Sequence, residues 1–273
     1  NSVISVVVGP IIWMVADAGV NPPAPMLAMY SVCAVAVTFW LTIMWGGWPF
    51  TSISKNPLVG GLTVLIAAYA ITLGLFKIFF NYEFMQGAPV YVASLDPHGL
   101  FNGWSAMVFF VTFLVGLFGL LHFDLWPLTS SPSIMKQPTL GIVWTLLALA
   151  VAAILFGIGV NGMGMDPAIF MVKVPVPFIF GTIVTLNMLQ GSLFAKMKQP
   201  VKGLASVVAA VIIGEGLAAM YGALAPVVSG DVKSGPPAYD FEIWLASALL
   251  AVTFPFLIFY ADYFKMWPLK KDE

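Results

Sequence analysis

Apolar residues run through this chain in long blocks rather than in strict alternation. Eight stretches stand out: Ser2 to Ala18, Met26 to Trp45, Leu58 to Phe80, Phe101 to His122, Leu140 to Val160, Pro175 to Phe194, Leu204 to Leu224 and Ile243 to Tyr263. A run of about 20 apolar residues matches a hydrocarbon slab about 30 Å thick. The blocks therefore predict membrane-crossing helices, eight in all, with seven as the alternative. The first block is short for a span, as it would be if its beginning were missing, and the chain opens on Asn1 rather than methionine. That block lacks the basic end of a signal peptide, so it is read as a membrane segment. Glycine- and proline-rich pieces such as Gly19 to Pro25 separate the blocks.

The junctions between blocks resemble one another. Trp48 to Phe50 reads WPF, and Trp126 to Leu128 and Trp267 to Leu269 both read WPL. The following blocks open on KNPLVGG from Lys55, KQPTLG from Lys136 and KQPVKG from Lys198. Proline suits a helix start, where its missing N–H costs nothing. Tryptophan suits the headgroup level, which makes Trp48, Trp126 and Trp267 candidate interface anchors. One reading is a single transmembrane domain over 1–273 built of four helical hairpins, 1–50, 51–130, 131–198 and 199–273. Units that each cross twice give a parallel repeat, not the inverted repeat common in secondary transporters. The alternative is that tryptophan, proline and lysine flank membrane helices generally, without repetition.

Composition strengthens the membrane reading. The chain is 60% hydrophobic and 8% charged, where a soluble domain carries roughly 25% charge. An all-α, polytopic helical bundle in contact with membrane lipids follows. The formal net charge of -1 gives no reason to expect nucleic acid. Every one of the 11 basic residues is lysine, which removes the usual bidentate clamp for phosphate or carboxylate. The lone Cys33 lies in an apolar run and reads as a small buried hydrophobe.

The few charges predict an orientation. Lys55, Lys136, Lys196, Lys198 and Lys202 share one set of loops, and the tail adds Lys265, Lys270 and Lys271. The opposite set has Lys233 in a loop, with Lys77 and Lys173 near helix ends, and holds Glu83, Asp96, Asp166, Asp231, Asp240 and Glu242. The positive-inside rule puts the lysine-rich loops and the C-terminus in the cytoplasm of a bacterial or archaeal cell. The loops over 81–100 and 225–242 are longer than ordinary hairpin turns. They are read either as docking sites for other membrane subunits or as plain ordered loops.

Charges inside spans are the best functional pointers in such a chain. Glu215, flanked by Gly214 and Gly216, falls near the middle of its block. It is read as a proton, cation or substrate site, or else as a glutamate hydrogen-bonded to a neighbouring helix. Lys77 and Asp17 lie towards the outer ends of their spans and are candidate pocket residues, although snorkelling explains the lysine and helix termination the aspartate. Asn187 and Gln190 share a helix face with a polar path or a helix contact as its use. Pro175 and Pro177, beside Lys173, predict an extended entry and a helix starting near Pro177.

Other chemistry finds little footing. Asp96 and Asp166 each precede proline and read as helix or turn starters. His98 and His122 stand at opposite ends of one span, about 36 Å apart along a helix, so no shared metal is expected. The sequence supports no cofactor, phosphate loop or nucleophilic triad. The leading function is passage of a small solute or ion, coupled through Glu215. The alternative is a non-catalytic transmembrane subunit of a larger complex, holding lipid, quinone or pigment among its aromatics. A weaker third class, an enzyme acting on lipid at the interface, would draw on Glu83, Asp96 and His98. The first predicts a cavity reaching Glu215, the second an apolar flank covered by other proteins. The third predicts His98 near an acid and open to a lipid groove.

Overall fold

The computed structural model describes residues 25–189, 192–236 and 238–265. Asp17, Gln190, Trp267 and the first apolar block, Ser2 to Ala18, lie outside the described residues. Among the described residues, seven helices are long and apolar enough to cross a membrane: Pro25–Met44, Pro57–Phe79, Gly103–His122, Thr139–Gly162, Pro167–Met188, Val201–Ser229 and Asp240–Leu257. They take up the second to eighth blocks. The fold is an all-helical polytopic bundle.

The helices are α1 (Pro25–Phe39), α2 (Pro57–Phe79), α3 (Gly103–His122), α4 (Thr139–Phe156), α5 (Pro167–Lys173), α6 (Pro175–Thr182), α7 (Val201–Ser229), α8 (Asp240–Ala248) and α9 (Phe254–Ile258). Side-chain oxygens start several of them. Asn56 accepts from the Leu58 N–H, Asn102 from Trp104, and Asp166 from Ala168 and Ile169. Proline follows Asn56 and Asp166 directly, at the position where it gives up no helical bond. The ladder widens to π geometry after α1, α4, α6 and α8, over Trp40–Met44, Gly157–Gly162, Ile183–Met188 and Leu249–Thr253. A parallel two-residue ladder pairs Phe80–Asn81 with Phe101–Asn102 and ties the end of α2 to the start of α3.

The region around Pro175 differs from the extended entry expected there. The chain is helical from Pro167, breaks at Val174 (φ -126°, ψ -73°) and is helical again from Pro175. The Asp166 cap nucleates α5, and the Val174 N–H still donates to the Phe170 carbonyl at 3.0 Å. Pro175 and Pro177 then occupy the first turn of α6, whose N–H groups have no helical acceptor in any case. Both prolines are buried.

Helix α3 is the centre of the bundle. Its span is 61% buried, against 22% for the spans of α2, α4 and α7. It packs against α1, α4, α5, α6 and α7. Gly116 of α3 meets the backbone of Ala148 on α4, and Gly181 of α6 meets the carbonyl of Ala210 on α7. Gly214 of α7 meets the Pro177 carbonyl in the same way. A Cβ at any of these glycines would overlap backbone, so their absence of side chain sets the helix spacing.

The lysine-rich ends share a device. Gln137 Oε1 accepts from the Gly141 N–H while its Nε2 donates to the Met44 carbonyl at 2.8 Å. Gln199 repeats this with the Gly203 N–H and the His122 carbonyl. Each glutamine thus caps its own helix and holds the end of an earlier one. The Trp48–Pro49 and Trp126–Pro127 peptides are cis, and a single tight turn follows each. Trp48 is half-buried and stacks on Trp45; Trp126 is 38% exposed.

Candidate functional site: an aromatic groove and an outward glutamate

A groove of about 580 Å³ runs between α1, α2, α3 and α4. Trp40, Phe79, Phe101, Phe109, Phe113 and Phe156 supply rings to its wall. The wall offers little to a polar ligand. Trp40 Nε1 donates to Thr145 Oγ1 at 2.8 Å, and Thr145 donates to the Gly141 carbonyl at 2.6 Å. The polar atoms of this pair are therefore engaged with protein. Phe101 and Leu149 are 54% and 40% exposed, so the groove opens on the outer surface of the bundle. For a chain of this hydropathy that surface faces lipid tails.

Glu215 is not on the groove wall. It is exposed on α7, on the side turned away from α6, with the exposed Ile212, Gly216 and Met220 around it. No hydrogen-bond or ion-pair partner reaches it among the described residues. A charged acid at the centre of a membrane helix costs about 2.5–3.5 kcal/mol on insertion scales. Lys77 is also exposed, on the outward face of α2 with Leu73 and Ile78, and is unpaired among the described residues. Asn187 is exposed as well. The structure does not bring Glu215, Lys77 and Asn187 together into one pocket.

The polar cluster that is built lies elsewhere. His122, 1% exposed at the end of α3, is held at Nδ1 by Ser206 Oγ of α7 (2.6 Å) and at Nε2 by Thr182 Oγ1 of α6 (3.0 Å). One ring nitrogen donates and the other accepts, as a neutral imidazole requires. Beside it, Lys202 Nζ donates to Asp124 Oδ2 at 2.7 Å and Gln199 Nε2 donates to the same oxygen at 2.9 Å. Partial burial raises the Asp124 carboxyl, but those hydrogen bonds and the Lys202 charge prevail and hold it below its ordinary value. Sequence reasoning gave His122 no role. Its signal was the spacing of small residues on α7: Gly203, Ser206, Ala210 and Gly214 form one buried stripe, and Ser206 belongs to it.

The long loops at the other end are ordered by their own contacts. Asp96 Oδ1 accepts from the N–H groups of Tyr82 and His98, and its Oδ2 accepts from Tyr91. His98 Nδ1 lies 3.7 Å from Glu83 and 3.6 Å from Asp96, beyond hydrogen-bond length. In the second loop, Glu242 is buried and accepts from Ser234 and the Gly235 N–H. Tyr239 donates to Asp166 at 2.9 Å. Burial first, then this bond and the charges of Asp166 and Glu242, push the Tyr239 hydroxyl up to about 12. The loop residue thus stays protonated and bonded at physiological pH. Among the described residues no group of three or more His, Cys, Asp or Glu is arranged to hold a metal ion.

Comparison with family models, with curated proteins and with solved structures finds no match to this chain.

Proposed function

We propose that the chain is a non-catalytic transmembrane subunit that holds a long apolar molecule, of the kind of a lipid or isoprenoid tail, in the groove between α1 and α4. The observation that carries this reading is the groove wall. Its rings come from α2, α3 and α4, from Trp40 just past α1 and from the strand residue Phe101, and its tryptophan and threonine bond to each other rather than into the space. In a membrane such a wall holds an apolar molecule by close van der Waals packing against its rings, since lipid tails are as apolar as the wall itself. Besides Trp40 and Thr145, the wall carries a single hydroxyl, Ser105, too little to orient a charged or sugar-like solute.

The transport reading draws its support from Glu215. A coupled carrier uses its acid inside a wet cavity, whereas this acid stands on an exposed flank. That position favours lateral contact with another protein. The repeated glutamine device of Gln137 and Gln199 supports the hairpin organisation read from the sequence. We read the lysine-rich ends as cytoplasmic.

The test is the content of the groove. Protein extracted into native-lipid discs is expected to carry an apolar molecule that survives purification and is identified by mass spectrometry. Leu149→Trp puts a larger ring into the open side without disturbing a buried position, and is expected to lose that molecule while keeping its melting temperature. An empty wild type, or equal retention by the variant, removes the proposal.

A further inference from the structure

Among the described residues nothing offers Glu215 a counter-charge, and in lipid its charged form is stable only beside one. Residues 1–24 contain no lysine, arginine or histidine, so that segment has no basic side chain to offer. Among the described residues, the cations of the lysine-rich end are remote from mid-span, and Lys202 is engaged by Asp124. Two exposed lysines stand towards the outer ends of spans: Lys173, which ends α5 and has no acid within ion-pair distance among the described residues, and Lys77, on a separate, poorly covered flank. The spans of α2 and α7 are each only 22% buried, and they carry Lys77 and Glu215 respectively.

The contacts fix their relative direction. The end of α2 meets the start of α3 through the Phe80–Phe101 pairing, and the end of α3 meets the start of α7 through His122 and Ser206. Helices α2 and α7 therefore start at the same face of the bundle. At 1.5 Å per residue, Glu215 is about 21 Å along α7 and Lys77 about 30 Å along α2. A lysine bends its long stem towards an acid at such an offset as readily as towards a headgroup. Helix α2 packs on α1, and α7 on α3, α6 and α8, so the two flanks are different surfaces of one protomer.

We propose that the α7 flank around Glu215 is the docking surface for the α2 flank of a second copy of this chain, with Lys77 of one copy paired to Glu215 of the next. Unlike surfaces meeting in this way make a heterologous contact, whose repetition about the membrane normal gives a ring when the rotation closes and an open row when it does not. The small residues Gly216 and Ala219 beside the acid allow the incoming helix to approach closely. The contact removes the mid-span charge from lipid and gives Lys77 a partner. This inference rests on the assembly reading above and names the partner.

The test uses the full chain with Cys33→Ala as background. Two differently tagged copies are co-expressed, one carrying Lys77→Cys and the other Glu215→Cys. A dimer bridged by a short bis-maleimide linker is expected only when both are present, the axial offset of the two positions being too long for a direct disulfide. Native mass spectrometry provides the second measurement. Glu215→Lys and Lys77→Glu are each expected to lower the oligomer fraction tenfold or more, and the double variant Lys77→Glu/Glu215→Lys to restore it. Glu215→Gln, which keeps size and polarity, is expected to fold and still lose most of the oligomer. Absence of the cross-link with wild type bound to a different protein overturns the second-copy proposal and leaves the assembly reading standing. Absence of the cross-link with wild type running as a single chain overturns both. A double variant no better than the single ones also overturns the proposal.

Discussion

His122 and Glu215 are both ionisable and both within apolar helices; Ser206, which holds the histidine, lies on the opposite side of α7 from Glu215 and about 13 Å away along the axis. The histidine lies on the inner side, bonded at both ring nitrogens by hydroxyls from α6 and α7. The glutamate lies on the outer side without a partner among the described residues. In the sequence their ranking is reversed: the mid-span acid draws attention, and the histidine at a helix end does not. The difference teaches that depth along a span and direction around it are separate quantities. Hydropathy reports the first. The second is set by which face is small enough for another helix to approach.

Neighbouring glycines give the largest test of that point. Gly214 points at the Pro177 carbonyl, and Gly216 has open space where a Cβ would stand. Gly214→Ala forces α6 and α7 apart, with an expected cost of about 1–3 kcal/mol from overpacking. Gly216→Ala is expected to stabilise by about 0.5–1 kcal/mol, since alanine is the better helix former and meets nothing. Denaturant unfolding in mixed micelles measures both. Equal effects of the two substitutions would break the inside–outside division of α7.

The next test sharpens the comparison itself. His122→Phe keeps the ring and removes both hydrogen bonds, leaving the Thr182 and Ser206 hydroxyls unpaired. Interhelical hydrogen bonds in membranes average about 0.6 kcal/mol and reach about 1.7, so a loss of about 1–2 kcal/mol is expected. Thr182→Val is expected to cost less, because it removes one bond. Glu215→Gln, measured at dilution where single copies prevail, is expected to change stability by less than about 0.5 kcal/mol. A Glu215→Gln loss as large as that of His122→Phe would mean that the acid has an internal partner.

Much of the fold was legible, for one physical reason. Membrane helices must satisfy their backbone bonds internally, so length and hydropathy locate them almost alone, and the blocks from Met26 onward each became a span. Helix starts were legible where Asn56, Asp166 and the following prolines stand. The stretch before Pro177 was expected to be extended because two prolines were read as opposing a helix, whereas Asp166 starts one already at Pro167 and both prolines fit the first turn of α6. The groove was not legible: its rings sit on four spans and a strand residue, and their meeting depends on lateral packing. Lipid and protein interior are equally apolar, so no amphipathic pattern marks which face turns inward. The stripe Gly203, Ser206, Ala210, Gly214 was the available clue. Glu215 falls about 100° from Gly214 around the helix, and the stripe alone would have placed it towards the outside.

The smallest expected effect belongs to Asp124 and Lys202, which brace the same end of α7 that holds His122 but from the solvent side. The Asp124 carboxyl is depressed in the folded protein, below its ordinary value of 3.8. A depressed acid binds its proton less readily when folded than when unfolded. Its contribution is therefore fully present above the ordinary value and is lost as pH falls through the lower, folded value. The Asp124 side chain is 59% exposed, so water and salt screen the pair and the contribution is about 0–1 kcal/mol. Asp124→Asn is expected to lower stability by a few tenths of a kcal/mol at neutral pH, roughly the surface-pair range, and to remove that part of the acid sensitivity. The wild-type difference is expected to shrink in high salt, because screening acts on exposed charges. The His122 hydrogen bonds, sealed from solvent, are expected to keep their effect under the same salt. A His122→Phe penalty that fell with added salt would show the inner cluster to be as wet as the outer pair, and the contrast between the two sides of α7 would lose its physical basis.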